Sequence, residues 1–164
     1  VWLLDSNKLI LLSQCRLEQW ILGEENLTTF YELPCNPSSD GRVYFPYDEI
    51  SLSVNNQLVV AGSREGMILI DMDMNKIITT DWLISGIGTE LDWNADGELL
   101  VAGGNILDEN GGLVTELPVP NNLIDVAWHP IDNKLYITTF DEPLSIQLSI
   151  FDLATDEFIT FIDR

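Results

Sequence analysis

Basic residues are scarce in this chain: seven Lys and Arg stand against 27 Asp and Glu, for a formal net charge of −20 over 164 residues. Nucleic-acid binding needs clustered Lys and Arg on phosphates, so nucleic acid is excluded as an expected partner. An anionic membrane surface is excluded on the same ground. No apolar run approaches the ~20 residues that span a bilayer, so no membrane insertion is expected. No secretory signal occurs in these residues, which gives a soluble chain of unassigned compartment. The chain opens on Val1 rather than Met, which leaves open what precedes it. There are two cysteines, Cys15 and Cys35, at a spacing that fits no metal motif and too few for a disulfide framework. Histidine occurs once, as His129, with no sequence context for a Ser-His-Asp or Cys-His arrangement.

What is present is a folding composition, 46% apolar and 21% charged, long enough for a real core. The acidity has a simple reading, that of keeping an aggregation-prone β protein apart from its copies. It also suits a partner with a basic surface, or a cation.

Four segments share one pattern: DSNKLILLSQ (5–14), VNNQLVVAGS (54–63), ADGELLVAGG (95–104) and IDNKLYITTF (131–140). Each has polar turn residues, a leucine and then a short apolar run. Taking Leu9, Leu58, Leu99 and Leu135 as anchors gives a period of about forty residues, the mark of a propeller or solenoid. Upstream lies a second apolar stretch in each copy: VWLL (1–4), EISLSV (49–54), ELDWNA (90–95) and DVAWHP (125–130). Trp2, Leu52, Trp93 and Trp128 place a large apolar residue six or seven positions before each anchor. Downstream comes a hairpin pattern: QWILGEENLTTFYEL, MILIDMDMNKIITTD, GLVTELPVPNN and LSIFDLATDEFITFID. The third copy carries Pro118 and Pro120 where its last strand is expected, which an edge strand tolerates.

These runs are short, rich in β-branched and aromatic residues, and bounded by Asn, Asp and Gly. They predict an all-β chain of four repeats, each of four antiparallel strands a to d. The expected blade limits are 1–47, 48–87, 88–122 and 123–164, together one propeller segment. Nearly continuous apolar runs in place of clean alternation imply that both faces of each sheet are buried between neighbours.

The pattern resembles the WD-repeat and YVTN-type β-propellers. LIDVAWHPIDNKLYITTF and SIFDLATDEFITF carry the likeness, with Phe151-Asp152 where WD repeats place Trp-Asp; GMILIDMDMNKIIT is nearer the YVTN form. No Trp-Asp dipeptide and no Gly-His pair occurs. The resemblance implies a β-propeller of about four blades. Such a unit is an arc of a larger ring, an arc completed by a second copy, or a closed four-bladed ring. By the match of Trp2 to Trp128, the chain begins part-way through its first strand a.

Several residues attract a functional reading. Asp92, Asn94, Asp96 and Gly97 spell D-x-N-x-D-G, the front half of a calcium loop, but the twelfth position is Gly103, not an acid. A tight strand-to-strand turn accounts for the same letters. DMDMN (71–75) fails the same test and fits a c–d turn. Glu49, Glu90 and Asp125 align when Leu52, Trp93 and Trp128 are superposed. In a propeller they would form an arc of carboxylates at one mouth of the channel, able to attract a cation or a basic peptide. The loops Gln14–Gln19, Arg64–Gly66, Asn105–Gly111 and Asp141–Gln147 read as b–c connections on one face. The Gly-rich stretches at Ser85–Gly88 and Asn110–Gly112 read as loops. Trp20, Trp82, Phe30, Tyr31 and Phe45–Tyr47 read as core more readily than as an interface patch. Cys15 and Cys35 are placed two strand spacings apart, about 10 Å, and so are expected as free thiols. Asn26-Leu27-Thr28 is a glycosylation sequon on a c–d hairpin.

The resulting expectation is a non-catalytic scaffold without cofactor that binds another protein through its loop faces and acidic rim. The alternatives are a lactonase- or quinoprotein-like propeller enzyme with a divalent metal held by Glu49, Glu90, Asp92 and Asp125, and a repeat unit of a homo-assembly.

Overall fold

The computed structural model describes residues 7–13, 15–33, 47, 49–62, 66–82, 90–118, 123–141 and 145–163. Among them there is no helix. The described residues contain fifteen strands in four antiparallel meanders. The first contains β1 (Lys8–Ser13), β2 (Arg16–Ile21) and β3 (Thr28–Glu32). The second contains β4 (Glu49–Leu52), β5 (Gln57–Gly62), β6 (Gly66–Asp71) and β7 (Lys76–Trp82). β8 (Leu91–Trp93), β9 (Leu99–Ala102), β10 (Asn105–Asp108) and β11 (Leu113–Glu116) form the third. β12 (Leu123–Trp128), β13 (Lys134–Asp141), β14 (Ser145–Asp152) and β15 (Glu157–Asp163) form the fourth. Within each sheet, strands that follow one another in sequence lie side by side. The stretch 1–4, expected as the first strand a, lies outside the described residues.

Side chains alternate across a strand, so each sheet has two faces, and here both are apolar. In the second sheet Leu58, Val60, Ile68 and Ile70 point back to Ile10, Leu17, Leu33 and Tyr47. Their neighbours Val59, Ala61, Met67 and Leu69 point forward to Leu91, Trp93, Leu100, Ala102 and Leu107. The third sheet repeats the division: Val101 and Ile106 turn forward to Val126, Trp128, Leu135, Ile137 and Phe151. Three seams of this kind make up the described core. Runs such as LVVA and MILI look unpatterned only because each residue is committed to one of two seams.

The strand order sharpens several expectations and corrects others. Strand β8 pairs Trp93 with Leu100, β12 pairs Trp128 with Leu135, and β4 pairs Leu52 with Leu58. The third anchor is therefore Leu100 and not Leu99. The second repeat's a–b turn is one residue shorter than those of the third and fourth, which shifted the alignment. Leu58, Leu100 and Leu135 all face the preceding sheet, whereas Leu99 packs forward against the third seam.

Three of the four b–c connections are also shorter than expected. Asn105–Asp108 is strand β10, reached from β9 through Gly103 and Gly104, both at positive φ (52° and 91°). Arg16–Gln19 and Ser145–Gln147 likewise belong to strands, while residues 63–65 and 142–144 lie outside the described set. Strand β11 ends at Glu116, ahead of Pro118, so proline terminates the strand instead of running within it. Tyr47 is buried in the first seam and Phe30 and Tyr31 pack against it. Trp20 is half-buried, and Phe45, Ser85–Gly88 and the side chain of Trp82 lie outside the described residues.

Cys15 is not a free thiol; it is held in a disulfide. The expected separation assumed an intervening strand. Instead Cys15 sits at the start of β2, whose partner β3 returns directly beside it: Arg16 pairs with Glu32, and the Leu33 N–H donates to the Cys15 carbonyl at 2.8 Å. Cys35, the other cysteine of the sequence, lies outside the described residues.

Candidate functional site

The D-x-N-x-D-G segment is spent on structure. Asn94 is buried, and its Oδ1 accepts the N–H groups of Glu98 and Leu99, both at 3.0 Å. Its Nδ2 donates across the seam to Asn133 Oδ1 at 3.3 Å. Gly97 has φ +70°, which favours glycine, and a Cβ there would meet Asn55 Nδ2 at 2.9 Å and push that side chain aside. Asn55 Nδ2 donates to the Asp96 carbonyl at 3.0 Å, tying the second and third a–b turns together. Among the described residues no group of three or more His, Cys, Asp or Glu is gathered to hold a metal ion.

The residue that follows the last large side chain of strand a caps its turn in three repeats. Ser53 Oγ accepts from Asn55 N and Gln57 N at 3.1 and 3.0 Å. Asn94 does so as above. His129 Nδ1 accepts from Ile131 N and Asp132 N at 3.3 and 3.1 Å. This gives the lone histidine a turn-capping role beside Tyr136, with ring centroids 5.9 Å apart. The same nitrogen stands 3.7 Å from Asp132 Oδ2. It cannot accept two N–H bonds and donate to that carboxylate, and the shorter backbone contacts decide for the acceptor role.

A second recurrent cap closes the c–d turns. Asp71 Oδ1 accepts from Asp73 N and Met74 N, Asp108 Oδ1 from Asn110 N and Gly112 N, and Asp152 Oδ1 from Ala154 N. Asp152 also pairs with Lys134 Nζ at 3.3 Å. Asp71-Asn75 is thereby a c–d turn, with Asn75 at φ 50° and its counterpart Asp156 at φ 57°. Sequence reasoning noticed only Phe151-Asp152; the dipeptides Ile70-Asp71 and Leu107-Asp108 in the same position were the available signal.

Asp92 makes a contact that the sequence did not disclose. Its Oδ2 accepts the Trp128 N–H at 2.8 Å, and its carbonyl accepts the Trp128 indole N–H at 3.0 Å. Adjacent strands β8 and β12 are joined by this pair. Burial pushes the Asp92 carboxyl above its usual range, against the Trp128 and Trp93 N–H bonds, and the nearby Asp125 charge adds to the rise. The native state therefore holds this proton more firmly than the unfolded chain. Stability falls as pH rises from the ordinary carboxylate range through the raised native value, and stays at the lower level above it. Asp92→Asn keeps an acceptor for Trp128 and removes the buried charge. It is expected to match or exceed the parent in unfolding free energy at neutral pH, with the gain growing through that interval. Asp92→Ala strands the Trp128 N–H and is expected to cost about 1–3 kcal/mol. Urea titrations at several pH values check both.

Glu49, Glu90 and Asp125 occupy equivalent register positions. Glu49 pairs with Ala61, the Glu90 carbonyl accepts the Gly103 N–H at 3.2 Å, and Asp125 pairs with Thr138. Each lies three residues before the Leu or Trp that ends its strand a. In an antiparallel meander the start of strand a and the b–c turn lie at the same end. The three carboxylates are consequently at the end of the sheets that carries the b–c turns, and the a–b and c–d caps are at the other.

No family model and no curated protein matches this chain. Solved structures do. One, described as the mitotic checkpoint complex, superposes with a TM-score of 0.71 at 13% identity, covering 98% of this chain and 51% of the other. Another, the Cps50 (Swd1) β-propeller domain of Myceliophteria thermophila, gives 0.65 at 18% identity, covering 96% and 55%. The chain thus spans about half the length of the propeller chains it matches. No helix among the described residues is long and apolar enough to cross a membrane. Strand-only meanders, seams on both faces and these superpositions together give the chain the fold of a WD-repeat-like β-propeller, present here as an arc of about four blades.

Proposed function

We propose that this chain is a non-catalytic scaffold that binds a protein with a basic surface through the rim carrying the b–c turns. The observation that supports this reading is the register equivalence of Glu49, Glu90 and Asp125 at that rim. Carboxylates repeated in step at one end of adjacent sheets concentrate a negative potential there, within a chain of net charge −20. One of the two solved structures described above is a mitotic checkpoint complex, an assembly of proteins. In the metal-enzyme alternative Asp92 would have to ligate through a carboxylate whose Oδ2 already accepts the Trp128 N–H at 2.8 Å.

Net charge alone would attract any cation, so the test has to hold charge constant. Glu49→Gln/Glu90→Gln/Asp125→Asn is compared with Asp73→Asn/Asp96→Asn/Asp156→Asn, which removes three exposed charges from the opposite end. Calorimetric titration with an oligo-lysine peptide at low salt is expected to weaken several-fold for the first variant and little for the second. Equal weakening in both would reduce the rim to a share of the overall charge.

A second reading, self-association to complete the ring, is supported by the outer face of the fourth sheet. Tyr136, Ile146 and Ile159 there are 37%, 53% and 51% exposed. By register Tyr136 is the counterpart of Val59, which a following sheet seals completely in the second repeat. Exposed apolar positions of this kind are association surfaces. Sedimentation at micromolar concentration is expected to show dimers, strengthened by salt as repulsion between the acidic chains is screened. A strict monomer across salt and concentration would end this reading.

A further inference from the structure

The β2–β3 hairpin joins two observations that the rim does not involve. Its base is covalently fastened, because Cys15 at the start of β2 is disulfide-bonded and the Leu33 N–H holds the end of β3 against it. Its tip carries the sequon Asn26-Leu27-Thr28, and every residue from Leu22 to Thr29 is exposed. Disulfides persist in chains that fold in an oxidising compartment, which is also where a sequon meets its transferase. The sequon requires a non-proline middle residue and a surface loop, and Leu27 on this turn satisfies both.

We propose that Asn26 is an N-glycan acceptor on a hairpin closed by a disulfide between Cys15 and Cys35. In the transfer, a bond forms between Asn26 Nδ2 and C1 of a sugar carried on a polyprenyl diphosphate. The bond from C1 to the diphosphate oxygen breaks, the lipid diphosphate leaves, and the amide gives up one proton. In the clasp, two thiols lose two protons and two electrons to a disulfide oxidant, which is reduced to its dithiol. Cys35 is assigned because it is the sequence's one other cysteine. The hairpin tip lies at the end of the sheet with the c–d turns, so a glycan there leaves the carboxylate rim uncovered. The proposal does not rest on the rim's function.

The test secretes the full chain from a eukaryotic cell and measures its intact mass with and without peptide N-glycosidase, unreduced and after alkylation in denaturant. The expected product is a chain with no interchain disulfide, with no alkylated thiol before reduction and two after it. It also carries a glycosidase-sensitive mass that maps to Asn26. Asn26→Gln and Thr28→Ala are expected to lose that mass, and Thr28→Ser to retain it. An unmodified Asn26 in the secreted parent overturns the acceptor assignment. Two thiols alkylated without reductant, or an interchain dimer resolved by reduction, overturn the clasp.

Discussion

Replacing Phe151 with alanine is expected to destabilise the chain by about 3–5 kcal/mol, the usual cost of emptying an aromatic-sized site in a packed core. Phe151 is completely buried where the third and fourth sheets meet, among Val101, Ile106, Leu135 and Ile137. Its strand, β14, is hydrogen-bonded on both sides, pairing Phe151 with Leu135 and with Phe158. The backbone is therefore held on both flanks and has little freedom to collapse into the void. The following residue, Asp152, caps the c–d turn, which fixes the strand end from which the ring projects. Denaturant unfolding should show the loss as a lowered midpoint. Phe161→Ala, at a position 59% exposed in the neighbouring strand β15, is expected to change stability by less than about 1 kcal/mol. A Phe151→Ala cost as small as that of Phe161→Ala would place Phe151 outside any seam.

Much of this architecture is legible in the sequence because burial on two faces writes an unusual signature. A strand such as LVVA at 58–61 has no polar alternation, yet is too short and too β-branched for a helix. Four such strands at a common period leave few folds other than stacked meanders. The tight turns are legible for a local reason, since Asn56, Asn75, Gly97 and Asp156 sit at positive φ where their residue types predict it. The candidate rim follows from the same periodicity, because aligning Leu52, Trp93 and Trp128 aligns the carboxylates three residues earlier.

What escaped the sequence depended on partners distant along the chain. Asn105–Asp108 is bounded by glycines and acids and looks like a loop; only pairing with Leu99–Ala102 makes it a strand. Asp92 stands in the sequence only as one letter of D-x-N-x-D-G, and its bond to the Trp128 N–H depends on the next sheet. Cys15 looks like the end of a strand until β3 is seen to run beside the start of β2. The capping role of Ser53, Asn94 and His129 is hidden because three different side chains do one job, each by offering an acceptor to the turn's N–H groups.

The adjacent pair Leu99 and Leu100 separates stacked repeats from any looser arrangement, because sequence alone does not distinguish the two residues. Leu100 is fully buried toward the second sheet, with Val59, Ala61, Met67 and Leu69, and is the register counterpart of Leu58 and Leu135. Leu99 is half-buried and turns the other way, toward the fourth sheet. Leu100→Ala opens a cavity between two β-sheets whose backbones are fixed by hydrogen bonding, at an expected cost of about 2–5 kcal/mol. Leu99→Ala removes the same atoms from a position already in partial contact with water and is expected to cost less than half as much. Both variants lose the same side chain and sit in the same strand, so helix or strand propensity and unfolded-state effects nearly cancel between them. The decisive measurement is the difference in unfolding free energy between Leu100→Ala and Leu99→Ala under one set of conditions. A clearly larger loss at Leu100 is the result that seams on alternating faces require. Equal losses, or a larger loss at Leu99, would mean that the repeats do not stack in this register.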